Sequence, residues 1–210
     1  MKNLKHVYKR PMPVMYENEC ISDFSIEKEL LKDFPNFNSN QIYFYDDVDR
    51  SSIYTFNKNL DSVTKNLLTI NLNYNLPVTP AIDLFISSDG GEIYSAFSAV
   101  DRIKSNKIPV HSYVEGIVAS AATFLSVVAH KRFIRKNSYM LIHQLSTEMW
   151  GNFQQMKDEM ENLENLMAAI KNIYLNHTKF TSNELDNILK HDLYLNADQC
   201  LEKGLVDFIV

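Results

Sequence analysis

Twice in the middle of this 210-residue chain, a short apolar run gives way to a glycine turn and then to a stretch with helical spacing. The first instance is Ala81–Ile86, then Ser87-Ser88-Asp89-Gly90-Gly91, then Glu92–Ser105. The second is Val110–Val114, which follows Pro109, and then Gly116, which the pattern reads as the opening of an apolar helix over 117–129. A strand followed by a helix and a second strand is economically closed only by a right-handed crossover. The repeat therefore predicts βαβ units and a parallel sheet covered by helices, an α/β chain.

The flanking segments extend that reading. Ile42–Tyr45 is β-rich and closed by Asp46-Asp47. Ser51–Leu72 carries apolar residues at Ile53, Phe56, Leu60, Val63, Leu67 and Leu68, a spacing of three to four that predicts helix. Turn material follows over Asn73–Pro80, and Arg132–Ile134 and Tyr139–Ile142 supply further strands. From Asn152 to Asn176 a long helix puts Phe153, Met156, Met160, Leu163, Met167, Ile170 and Tyr174 in one stripe on an otherwise polar surface. Such a stripe is core or a contact with a partner helix. Thr181 and Glu184 form a capping box for a helix to about Lys190, and a last short helix runs from near Asn196 to Gly204, a C-cap residue. Leu205–Val210 ends the chain as a strand. The first forty residues, interrupted by Pro11 and Pro13, read as an arm or docking segment with a short helical piece over Ile26–Asp33.

Composition narrows the class of function. A formal net charge of −5, with no basic run longer than the group Lys131, Arg132, Arg135 and Lys136, argues against nucleic acid as the main partner. Cys20 and Cys200 alone make neither a disulfide framework nor a zinc site, usage that suits a reducing compartment. No apolar h-region opens the chain, and Ile117–Ala129 is too short to span a bilayer. The expectation is a cytoplasmic protein with no membrane partner.

Three segments carry chemistry. Gly116-Ile-Val-Ala-Ser120-Ala-Ala puts a serine in the first turn of a helix, straight after a strand, where unpaired backbone N–H groups favour an alkoxide and a neighbouring oxyanion. The small residues Ala119, Ala121 and Ala122 leave room for a substrate backbone. Alone, such a serine is as well explained by helix packing. The Ser88-Asp89-Gly90-Gly91 turn allows close backbone approach, and its N–H groups could hold a tetrahedral oxyanion; alone it is a tight turn. His143 ends the apolar strand Tyr139–Ile142, at a sheet edge where loops build sites, and imidazole is the base suited to activating a serine near neutrality. Spacing does not select the carboxylate that would orient it. Asp192 is a candidate because it lies in a break between two helices.

Taken together, these segments resemble the proteolytic subunit of the Clp protease, from about Gln41 to Val210. The family's Ser-Pro-Gly-Gly turn corresponds to Ser88-Asp89-Gly90-Gly91, and its Gly-x-x-Ala-Ser motif to Gly116-Ile-Val-Ala-Ser120. Its Met-Ile-His-Gln appears as Leu141-Ile-His143-Gln144, and its Arg-Asp-x-aromatic-x-(Ser/Asn)-Ala as His191-Asp192-Leu193-Tyr194-Leu195-Asn196-Ala197. Its closing Gly-Leu-Val-Asp is Gly204-Leu205-Val206-Asp207. Five strings in this order are specific where none alone is.

The resemblance implies a Clp protease/crotonase-like fold of repeated β-β-α units, with a peptidase domain over 41–210 and a protruding handle over about 145–178. It implies a serine endopeptidase with Ser120 as nucleophile, His143 as base and Asp192 as acid, and an oxyanion hole from the N–H groups of Gly91 and Ala121. It further implies two stacked seven-membered rings, polypeptide substrates, no cofactor or metal in this subunit, and ATP used by a separate AAA+ unfoldase. Extended substrate would lie along residues near 145–155. The chain departs from the pattern at Asp89 and Leu145, where the family has proline, and at Asp83, where aromatics for unfoldase docking are usual; Phe85 keeps that character. The nucleophile-to-base segment is two residues short, and residues 1–40 match poorly. Two other readings are a non-catalytic scaffold of the same fold and an acyl-CoA enzyme of the crotonase architecture.

Overall fold

The computed structural model describes residues 40–74 and 79–210. Its elements in chain order are β1 (Gln41–Phe44), α1 (Arg50–Tyr74), β2 (Ile82–Ser88), α2 (Ile93–Ser105), β3 (Val110–Ala119), α3 (Ala122–Val127), β4 (Lys131–Ile134), β5 (Tyr139–Leu141), α4 (Phe153–His177), α5 (Ser182–Ile188), β6 (Tyr194–Asn196), α6 (Ala197–Lys203) and β7 (Phe208–Ile209). The expected arm over residues 1–40 falls, but for Asn40, outside the described residues.

The sheet runs β1-β2-β3-β4-β7, every pairing parallel, and β5 joins β3 in parallel while β6 pairs β5 antiparallel. This is the parallel sheet of repeated strand-and-crossover units expected from the sequence, although only the first glycine turn lies where a strand ends. β2 is buried over almost its whole length, with Ile82, Leu84 and Ile86 at 0 % exposure. A strand covered on both faces reads as a continuous apolar run rather than an alternation, which is how Ala81–Ile86 stood out in the sequence. On one face, Ile53, Phe56, Leu60 and Leu67 of α1 and Ala96, Ala99 and Ile103 of α2 join the strands in one core. Along another row, Tyr43, Phe85, Tyr113, Phe133 and Phe208 stack across five strands, with successive ring centroids 4.9, 4.8, 4.7 and 5.1 Å apart. Each such contact adds about 0.5–1.5 kcal/mol beyond area burial, so the column helps to hold the lateral register.

One sequence expectation is overturned here. Gly116 does not open a helix over 117–129: Ile117–Ala119 continue β3, and α3 spans only Ala122–Val127. The reason is tertiary. Val110–Val114 neighbour β4 as far as Val114↔Ile134; then Gly116, at φ 63°, bends the strand, and Ile117–Ala119 change partner to Tyr139–Leu141 of β5. The β-branched pair Ile117 and Val118 suits that continuation. β6 was also not foreseen: Tyr194–Asn196 carry no strand expectation in the sequence, and they pair with β5.

The long helix α4 meets the expected limits closely. Asn152 is its N-cap, in a capping box with Gln155. Its apolar stripe divides: Ile170 and Tyr174 are buried in the core with Leu166 and Met167 packed against it, while Phe153, Met156 and Met160 are exposed, as is Trp150 before the helix. Thr181 and Glu184 form the expected capping box of α5, and Gly204 ends α6 at φ 69°. Asp207 accepts from the Arg132 backbone N–H at 2.9 Å and from its guanidinium, which also donates to the carbonyls of His177 and Gly204. That tie anchors the chain terminus beside β4.

Candidate active site

The register of the sheet brings His143 and Asp192 together. β5 and β6 pair as Tyr139↔Asn196, Met140↔Leu195 and Leu141↔Tyr194. Continuing that antiparallel register by two residues sets His143 opposite Asp192, and Nδ1 of the imidazole lies 3.6 Å from Oδ1 of the carboxylate. The approach is also held from α5, because the Gln144 N–H donates to the Leu189 carbonyl and the His191 N–H to the Ile188 carbonyl. The His143 side chain is 25 % exposed and that of Asp192 80 %.

Ser120 stands one residue past the end of β3, where Ala119 is level with Leu141. The first-turn position expected for it is corrected with the helix: Ala121 is the N-cap residue, and Ser120 precedes it. Its φ is 52°, the left-handed region, and it is the one non-glycine there among the described residues. Such a conformation costs about 1–3 kcal/mol and persists where the surroundings over-determine it. Here the Ser120 N–H donates to the Leu141 carbonyl at 2.8 Å. Its carbonyl accepts from the Thr123 N–H at 3.0 Å and the Thr123 hydroxyl at 2.6 Å. Since that hydroxyl proton is committed to Ser120, the Tyr174 O–H must donate to Thr123 Oγ1, 2.6 Å away. Burial pushes the Tyr174 phenol upward, keeping it a neutral donor. A relay from α4 thus fixes the turn. The Ser120 side chain makes no hydrogen bond to His143 among the described residues.

The glycine turn packs directly on this serine. A Cβ on Gly90, at φ 101°, would stand 2.6 Å from Ser120 Cβ, 2.7 Å from the Ala119 oxygen and 3.1 Å from the Ala121 nitrogen. The Ser88 hydroxyl accepts from the Gly90 N–H at 3.2 Å. Gly91 forms an isolated parallel bridge with Val48. In it the Gly90 carbonyl and the Glu92 N–H both bond Val48, at 2.7 Å each. The alternation of a strand then turns the Gly91 N–H away from Val48. Neither that N–H nor the Ala121 N–H has an acceptor among the described residues. Beside Gly91 opens a cleft of about 790 Å³, walled by α1, the start of α2, residues 145–147 and α4.

Two contacts escaped the sequence reading. Gly90 sat inside a flagged motif, but its contact with Ser120 needs the fold. Thr123 and Tyr174 lie 51 residues apart, and only the stripe position of Tyr174 was legible. Among the described residues there is no cluster of His, Cys, Asp and Glu suited to a metal ion, and no helix long and apolar enough to cross a membrane.

This arrangement has relatives. The Clp protease family matches residues 38–210. An ATP-dependent Clp protease proteolytic subunit 2 of Treponema denticola is 31% identical over 156 residues, 73% of this chain and 76% of that protein. The ATP-dependent Clp protease proteolytic subunit of Deinococcus radiodurans is 26% identical, over 61% of this chain and 64% of its own length. A solved mutant ClpP1 from Listeria monocytogenes superimposes with a TM-score of 0.71 at 19% identity, covering 88% of this chain and 95% of that one, which establishes the fold. With the family match spanning residues 38–210 and the Treponema relative above 30% identity, this chain belongs to the Clp protease family.

Proposed function

We propose that this chain is a serine endopeptidase subunit acting through Ser120, His143 and Asp192. The observation that carries the reading is the facing of His143 and Asp192 across β5 and β6, next to a serine held at positive φ. Because Nδ1 faces the carboxylate, Nε2 is the nitrogen left to take the Ser120 proton. Ser120 Oγ attacks the scissile carbonyl, and the oxygen gains negative charge beside the N–H groups of Gly91 and Ala121. Each such donor is worth about 2.7–4 kcal/mol in comparable sites. The imidazolium, stabilised by Asp192, returns its proton to the leaving amine. Water then attacks the acyl-enzyme by the same route reversed. The 3.6 Å separation of His143 and Asp192 is loose for this work, and catalytic hydrogen bonds of this kind commonly tighten when substrate is bound.

Residues 145–152 hold no regular strand or helix, which supports their backbone pairing with an extended peptide, whereas Phe153–Gln155 already belong to α4. The exposed Trp150, Phe153, Met156 and Met160 support an assembly of two stacked seven-membered rings with α4 as the handle between them. The subunit itself uses no cofactor in this reading, and an AAA+ ATPase supplies unfolded polypeptide in the cytoplasm. A second reading, a weakly active or regulatory scaffold, draws on the exposure of Asp192.

Ser120→Ala separates the two. In the peptidase reading, peptide hydrolysis is abolished and the mass of the intact assembly is unchanged. Hydrolysis persisting in Ser120→Ala would refute the assignment, and loss of assembly with it would mark Ser120 as structural.

A further inference from the structure

Thr123 and Tyr174 form a buried pair of hydroxyls that the peptidase mechanism leaves without a task. They stand at 0 % and 1 % exposure, and the Tyr174 ring lies edge-on to Phe124, with centroids 5.4 Å apart. A threonine hydroxyl that bonds back to a carbonyl one turn earlier is common in helices. Two features set this one apart. The carbonyl it grips belongs to Ser120, which precedes the N-cap residue of α3 and lies in the left-handed region. The Tyr174 hydroxyl is 2.6 Å from Thr123 Oγ1, so its proton occupies a lone pair there and leaves the threonine proton directed at the carbonyl.

The consequence reaches the next group along the chain. A peptide unit is planar and trans, so the Ser120 C=O and the Ala121 N–H point in opposite directions. Whatever aims the carbonyl therefore aims that N–H. The Ser120 oxygen takes two donors, the Thr123 N–H at 3.0 Å and the Thr123 hydroxyl at 2.6 Å. In a buried setting, hydrogen bonds chained in this way strengthen one another.

We propose that Thr123 and Tyr174 are positioning residues for the oxyanion hole: by gripping the Ser120 carbonyl, they aim the Ala121 N–H at the oxygen that gains charge. The inference rests on Ser120 being the nucleophile and Ala121 a donor to the oxyanion. An N–H preset in this way needs no reorganisation when the charge forms, and it matters more to the tetrahedral state than to the bound peptide. Without the grip the peptide plane can tilt, and the N–H swings off the oxyanion.

The test compares Thr123→Val, Thr123→Ser and Tyr174→Phe with the wild type, each as the assembled full-length protein, on one fluorogenic peptide. Valine keeps the shape of threonine and removes the hydroxyl, whereas serine keeps the hydroxyl. Thr123→Val should lower kcat by at least about tenfold with KM within about twofold, a part of the roughly 10²–10³-fold that loss of a whole oxyanion donor costs. Tyr174→Phe should lower kcat by at least about threefold in the same pattern, and Thr123→Ser should recover most of the valine loss. Rates are scaled to the folded, assembled fraction, so lowered stability alone does not register. An unchanged kcat in either hydroxyl-free variant, a loss that falls on KM instead, or Thr123→Ser as slow as Thr123→Val overturns the proposal and leaves the peptidase reading standing. If Thr123→Val does not fold, Tyr174→Phe decides by the same criterion. A wild type that neither cleaves peptide nor takes a fluorophosphonate on Ser120 overturns both.

Discussion

Replacing Gly90 by alanine is the sharpest probe of how the fold positions the serine. The new Cβ would lie 2.6 Å from Ser120 Cβ, and ordinary contacts begin at 3.4 Å, so one of the two must move by about 0.8 Å. Nothing flexible is available to yield, because the other neighbours are the Ala119 oxygen and the Ala121 nitrogen. Alanine is also strained at φ 101°. Strain of about 1–3 kcal/mol and overpacking of about 1–3 kcal/mol predict a loss of about 2–6 kcal/mol in stability. A displacement approaching 1 Å at the reacting atom costs roughly 10²-fold in rate. The assay is fluorophosphonate labelling of Ser120, scaled to the folded fraction from circular dichroism at low temperature. Gly151→Ala serves as the contrast: its Cβ would meet the Gln155 side-chain oxygen at 2.8 Å, which caps α4 through the Asn152 N–H, so a loss of about 0.5–2 kcal/mol with labelling of the folded fraction at the wild-type rate is expected. A folded Gly90→Ala that labels at the wild-type rate would refute the packing argument.

Other consequences are independent of that contact. Tyr174→Phe removes the donor to Thr123 and should cost about 1 kcal/mol in urea denaturation; an unchanged midpoint would mean the relay holds nothing. Ser120→Gly relieves a left-handed residue and should equal or exceed Ser120→Ala in stability, by up to about 1 kcal/mol; a glycine variant clearly less stable than alanine contradicts the strain. His111 is lowered to about 4 by burial first and by Lys131 and His130 after it. Asp83 Oδ1, at 4.0 Å from its Nδ1, is beyond hydrogen-bond reach. The folded state therefore binds fewer protons than the unfolded one between about pH 6.5 and 4. Stability contributed by the neutral ring is whole above that window and lost as pH falls through it, by a few kcal/mol at most, about 1.4 per pH unit. His111→Gln should flatten the thermal-denaturation profile there, and an unchanged slope would exclude His111 as the titrating group.

The sheet was legible because its central strand β2 is buried on both faces and ends in a glycine turn, signals that are local. The helices α1, α4 and α5 were legible from periodicity and capping residues. What escaped was set by partners distant in sequence. Ile117–Ala119 carry an apolar, alanine-flanked pattern that fits a helix, and only the presence of β5 makes them strand. His143 and Ser120 could be singled out from their positions beside turns. Asp192 could be offered only as one carboxylate among many until the resemblance selected it; the β5–β6 register now supplies a physical reason for its nearness to His143. Asp83, read as a departure on a docking face, is buried at 8 % exposure beside His111, a pairing the register of β2 and β3 creates.

The central claim is that Ser120 is a nucleophile activated by His143. The most direct measurement is mass spectrometry of the assembled protein after treatment with a fluorophosphonate, with the adduct mapped to its residue. The account predicts one adduct per subunit on Ser120, and its loss in His143→Ala. No adduct, or equal labelling of Ser120 without the imidazole, would contradict it.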